Sequence, residues 1–170
     1  MSEPTLLRGR VISFTADPFG TPEPHSAARC DEALVMKGGR ILALGDAASL
    51  GAEYPQAQIV DYGDHVICAG FVDAHAHYPQ TAIIASWGKR LIDWLNTYTF
   101  PEEMRFGDRD FAERIAARYL DLTTAHGTTT LSTFCTIHRA SVDAIMSQAQ
   151  ARSQRIVAGK TCMDRDTAPE

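Results

Sequence analysis

The chain has 170 residues, 45% of them hydrophobic and 22% charged, a balance that supports a packed core and excludes a disordered polymer. A net charge of -5 and a pI near 5.6, with lysines and arginines scattered instead of striped, exclude a polynucleotide-binding surface. Met1-Ser2-Glu3-Pro4 carries no basic and apolar leader, no apolar run reaches the roughly 18 residues of a membrane span, and Cys30, Cys68, Cys135 and Cys162 are widely spaced without a C-x-x-C. These features predict a cytoplasmic protein with reduced thiols and no membrane partner.

The first element is the β-like run Arg8–Phe14, followed by an exposed loop over Asp17–Pro24 that is rich in proline and glycine. Ala33–Met36 and Ile41–Gly45 flank Lys37-Gly38-Gly39-Arg40, and adjacent glycines supply the positive φ that a two-residue hairpin turn demands. Residues 1–65 are therefore expected to form a small β domain. Val66–His75 reads as an extended strand that opens the second domain, residues 66–170.

Beyond it, Phe111, Ile115, Tyr119 and Leu122 make an amphipathic helical stripe that Gly127 ends. Thr128–Phe134 is β-branched and short, Val142, Ile145, Met146 and Ala149 form a second helical stripe, and Arg155–Gly159 is a further strand. Strand, helix, strand, helix, strand predicts an α/β fold of parallel βα units, the beginning of a (β/α)8 TIM barrel. A complete barrel of that kind takes about 250 residues, so the chain is expected to hold only its first units, truncated, with an open edge that favours association.

The chemistry concentrates in Gly70-Phe71-Val72-Asp73-Ala74-His75-Ala76-His77. Side chains two apart on a strand share a face, so His75 and His77 can grip one divalent cation at the C-terminal end of the first barrel strand. Zinc suits such nitrogen donors, and a hydrolytic site needs about three protein ligands with one open position. Asp73 is expected on the same face by alternation, in a structural role. Neither H-x-E with a downstream P-C-x-x-C nor H-E-x-x-H is present, and Tyr78-Pro79-Gln80 offers no third ligand locally.

That octapeptide resembles the first metal motif of the amidohydrolase superfamily of metal-dependent hydrolases. Tyr78-Pro79-Gln80, the segment Leu91–Glu102 with its W-L-x-x-Y-T-F-P pattern, Gly127–Thr130, Thr136-Ile137-His138 and Gly159–Asp164 are similar to the N-terminal half of the guanine deaminase family within it. Residues 1–59 resemble only that family's variable domain, part of a β-sandwich. The resemblance implies zinc-dependent hydrolysis of guanine to xanthine and ammonia in purine catabolism. It implies one Zn(2+) per site, with iron as the other candidate metal.

By the same resemblance His75 and His77 are metal ligands, and His77, Tyr78, Pro79 and Gln80 contact guanine. The general acid is expected beyond Glu170, and the full-length form is expected to be a homodimer. A carboxamide at Gln80 can read a purine edge because it both donates and accepts. Trp87, Trp94, Tyr98 and Phe100 could shape an aromatic pocket but are assigned no catalytic role; His138 is expected to be structural, and His25, His65 and His126 are expected in loops or at helix ends. With two histidines alone, the 170-residue chain is expected to have negligible turnover. The rival readings are another amidohydrolase acting on aminated or halogenated heterocycles, and a non-catalytic piece that assembles with a complementary chain.

Overall fold

The computed structural model describes residues 3–163 and divides between Ala69 and Gly70 into two units. In the first, β1 (Thr5–Phe14), β2 (Ala28–Lys37), β3 (Arg40–Gly45) and β4 (Gln58–Cys68) form one sheet in the order β3-β2-β1-β4. The β2–β3 hairpin turns on Gly38 and Gly39, at φ of 57° and 76°, as their lack of a Cβ allows. Helix α1 (Ala47–Glu53) starts where Asp46 accepts a 2.7 Å hydrogen bond from the Ser49 backbone N–H, and it buries Leu50 against Leu6, Ala33 and Val35.

Val66, Ile67 and Cys68 belong to this first sheet, where they pair in parallel with Arg10, Val11 and Ile12. The extended run expected over Val66–His75 is thus two strands, because Ala69 and Gly70 end β4 before β5 (Phe71–His77) begins. Gly70 is held to glycine by contact: a Cβ there would stand 2.2 Å from the Thr129 Oγ1.

The second unit carries β5, β6 (Thr128–Phe134) and β7 (Arg155–Gly159) as a parallel sheet in that order. Between β5 and β6 the chain makes a 3₁₀ turn (Tyr78–Ile83), α2 (Leu91–Trp94), α3 (Phe100–Met104) and the long helix α4 (Arg109–Ala125). Leu95–Thr99 forms a wide π turn joining α2 to α3, closed by the Phe100 N–H on the Leu95 carbonyl; Pro101, which has no N–H to donate, follows at once. Asp108 caps α4 by accepting from the N–H groups of Asp110 and Phe111, and Gly127, at φ 86°, releases the chain into β6.

Helices α4 and α5 (Arg139–Ala151) cover one face of this sheet. Phe111, Ala112, Ala116, Tyr119 and Leu120 from α4, and Ala144, Ile145 and Ala149 from α5, bury against Leu131 and Cys135. The stripes differ from expectation at their ends, since Leu122 is 42% exposed and Met146 39%. Ala112, Ala116 and Ala144 are buried in this core, whereas Leu122 and Met146 lie at its rim. The other face of the sheet is open, with Phe134 and Val157 exposed on it.

Replacing Gly70 by Ala is expected to lower unfolding stability by about 1–3 kcal/mol through overpacking against Thr129. Denaturant titration of Gly70→Ala and of the double variant with Thr129→Ala measures this, and the double variant is expected to recover part of the loss.

Candidate functional site

Strand β5 does not keep strict alternation. Asp73 pairs with Leu131 and Ala76 with Thr133, so three steps along β5 meet two along β6, a bulge of one residue. The bulge turns Asp73 to the helix-covered face, opposite buried Leu131 and near Tyr119, whose hydroxyl feels its charge. Asp73 therefore leaves the histidine face predicted for it. Its Oδ1 accepts the His75 backbone N–H at 3.1 Å and braces the bulge, which is the structural role expected of it.

Past the bulge His75 and His77 share the open face, with their Nε2 atoms 3.3 Å apart. Two nitrogens each about 2.0–2.1 Å from one tetrahedral metal stand roughly 3.3 Å apart, so the pair fits a zinc-like cation as it lies. Phe134, at the end of β6, stacks on His77 with centroids 4.8 Å apart and meets His75 edge-on at 5.4 Å. Burial, and then the neighbouring His75 charge, hold the His77 pKa below its ordinary 6.5, favouring the neutral imidazole that a metal requires. Among the described residues no group of three histidine, cysteine or carboxylate side chains that could hold a metal ion forms, and the histidine pair stands without a third such neighbour.

The histidines open onto a cleft of about 370 Å³ whose walls include Gln80, Ile84, Trp94 and Tyr119. Trp94 is fixed there by its Nε1, which donates to the Ser86 Oγ at 2.7 Å. Gln80 reaches the cleft from the 3₁₀ turn, and its Nε2 donates to the Glu103 Oε1 at 3.4 Å. Burial raises the Glu103 carboxyl above its usual range, an effect that the Gln80 hydrogen bond opposes.

Tyr78 and Pro79 are not brought to the cleft; both are buried. The Tyr78 ring packs on Phe106 and Tyr119, its N–H donates to the Thr133 Oγ1 at 3.0 Å, and its hydroxyl donates to the Ser141 carbonyl, with burial pushing the phenol pKa strongly upward. Trp87 is 72% exposed, away from the cleft lining. His138 caps the start of α5 with its ring against Gly107, His126 bonds the Leu122 carbonyl at the end of α4, and His65 lies within β4 instead of a loop. Phe134 and Glu103 went unnoticed in the sequence; the β6 register, which places Phe134 beside His77, was the one available signal for the former. A larger groove of about 600 Å³ on the first unit is lined by Arg8 and Arg10, which pair with Asp61 and Asp64.

Residues 66–170 match the amidohydrolase family, and residues 33–57 match a bacterial imidazolonepropionase-like composite domain. The guanine deaminase of Escherichia coli (strain K12) is 36% identical over 167 residues, which cover 96% of this chain and 38% of the relative. The solved guanine deaminase of Bradyrhizobium japonicum superposes with a TM-score of 0.87 at 31% identity, over 98% of this chain and 37% of its own. That of C. acetobutylicum, solved with guanine bound in its active site, gives 0.76 at 25% identity, over 98% and 39%. The chain thus spans under two fifths of the length of these relatives.

Because the folded-state pKa of His77 is depressed, the unfolded chain binds the extra proton first as pH falls through the ordinary value of 6.5. Metal-free stability is therefore expected to decline on acidification below that value and to be flat in this respect above it. His77→Gln is expected to flatten the decline, as read by urea unfolding at a series of pH values.

Proposed function

The chain belongs to the amidohydrolase family, and from that premise we propose that the protein carrying it is a guanine deaminase, converting guanine and water to xanthine and ammonia. The observation that carries the proposal is the metal-spaced pair of His75 and His77 on one cleft with Gln80. Guanine deaminases align with nearly the whole of this chain, which supports the same substrate.

In this reading His75 and His77 supply two nitrogen ligands to a divalent metal, for which zinc is the suited ion. When bound, that metal makes water nucleophilic at neutral pH. Phe134 holds the His77 ring in place, the braced bulge at Asp73 fixes the direction of both imidazoles, and Trp94 offers a flat apolar wall to a flat base. Gln80 reads the polar edge of the purine. The acid that protonates the leaving amine and the remaining metal ligands belong to the part of the relatives that this chain does not span. A cytoplasmic location agrees with four cysteines that are all free thiols.

The metal-loaded protein that carries this chain is expected to form xanthine and ammonia in equal amounts from guanine. His75→Ala and His77→Ala are each expected to lower kcat/KM by more than about a hundredfold, beyond the loss typical of an outer-sphere partner, and to lower metal content after dialysis. Turnover of another aminated or halogenated heterocycle in place of guanine would overturn the substrate. Unchanged metal content in both variants would overturn the ligand pair.

A further inference from the structure

We propose that Glu103 is a positioning residue that orients the Gln80 carboxamide, so that the cleft wall presents the amide oxygen and selects ligands offering an N–H donor at that point. The substrate side of this proposal rests on the guanine deaminase reading; the geometry does not.

The two ends of a carboxamide are nearly equal in size, and a glutamine free to flip offers a donor or an acceptor indifferently. Gln80 starts from a fixed backbone. Tyr78, two residues earlier, is anchored through its N–H and hydroxyl to Thr133 and Ser141, and the Thr81 hydroxyl donates to the Tyr78 carbonyl at 2.6 Å. Only the outer torsions of Gln80 remain to be set. Behind it, on α3, Glu103 lies half-buried in a crevice with Phe100, Met104, Thr136, Ile137 and Met163.

A half-buried carboxyl in such surroundings is costly unless it is hydrogen-bonded. Among the described residues no ion pair reaches Glu103, and Gln80 is its hydrogen-bond partner. The adjacent Glu102 shows the contrast, since its Oε2 is paired with the Arg105 guanidinium at 2.8 Å. An ionised carboxylate accepts and never donates, so it can hold only the nitrogen end of the amide. With Nε2 held by Glu103, the oxygen is the end of the Gln80 amide left free, on a side chain that lines the cleft shared with His75 and His77. A purine edge bearing a ring N–H or an amino group is what such an acceptor recognises. An edge bearing only acceptors is rejected, because it would leave two oxygens facing each other.

Three variants in the protein that carries this chain test the coupling. Glu103→Gln is expected to raise the KM for guanine about three- to tenfold, the worth of one neutral hydrogen bond, with kcat nearly unchanged. In a Gln80→Ala background Glu103→Gln is expected to add nothing. The exchange of Gln80→Glu with Glu103→Gln restores an acceptor on the cleft wall, and is expected to recover part of what Gln80→Glu alone loses. An equal effect of Glu103→Gln in both backgrounds, or an exchange no better than Gln80→Glu alone, would overturn the proposal.

A readout without turnover separates this proposal from the assigned reaction. Gln80→Met removes the donor while keeping the side-chain length, and is expected to raise the Glu103 carboxyl pKa followed by 13C NMR titration. A raised pKa in a protein that leaves guanine untouched would sink the deaminase reading and keep the Gln80–Glu103 coupling. An unmoved pKa would sink the coupling whatever the substrate.

Discussion

The constraint on which the second unit depends is the parallel pairing of β5 with β6, and the single extra residue that β5 carries between Asp73 and Ala76. Pairing commits one face of the sheet to α4 and α5. The bulge then changes the phase of the strand, so that Asp73 turns inward as a brace while His75 and His77 face outward together. Without the bulge the strand could not place Asp73 under the helices and still carry two imidazoles on the opposite face. A bulge at the end of a strand re-aims side chains, and here it aims two ring nitrogens at one point.

Core and site are linked through Tyr78. It follows His77 directly and opens the turn that carries Gln80, and it is fully buried against Phe106 and Tyr119. Its packing therefore fixes the exit direction of β5 and the position of the cleft wall at once. Phe134 does the same work from the neighbouring strand by stacking on His77. Burial at this place also lowers the His77 pKa from its ordinary value, which favours the neutral imidazole. Rigidity at the site thus comes from the same contacts that bury the helices, which is how a sheet edge can hold ligands within the tolerance a metal demands.

Much of this was legible from residue order. Gly38-Gly39 specified its hairpin because only glycine accepts two consecutive positive φ values without cost, and Gly127 marked the end of the long helix. The i, i+2 spacing of His75 and His77 was enough to place both on one face. The amidohydrolase family matches residues 66–170, the stretch that contains that short run and the segments after it. What sequence spacing misjudged was the side of each strand or helix that another element would cover. By resemblance Tyr78 and Pro79 were expected at the cleft, yet here both are buried, and the Thr133 and Ser141 groups that hold Tyr78 lie 55 and 63 positions away. Leu122 and Met146 fit a helical period, yet both lie at the rim of the core, while Ala112, Ala116 and Ala144 enter it.

The order of residues by itself determined the βα succession and the i, i+2 pair of imidazoles, because turn chemistry and side-chain periodicity are local properties. Tertiary structure decided the bulge that sends Asp73 away from the histidines, the stacking of Phe134 on His77, and the meeting of Gln80 with Glu103. Each of these depends on register between strands or on contact between segments far apart in the chain, and no local pattern records which of several possible partners a buried group will find.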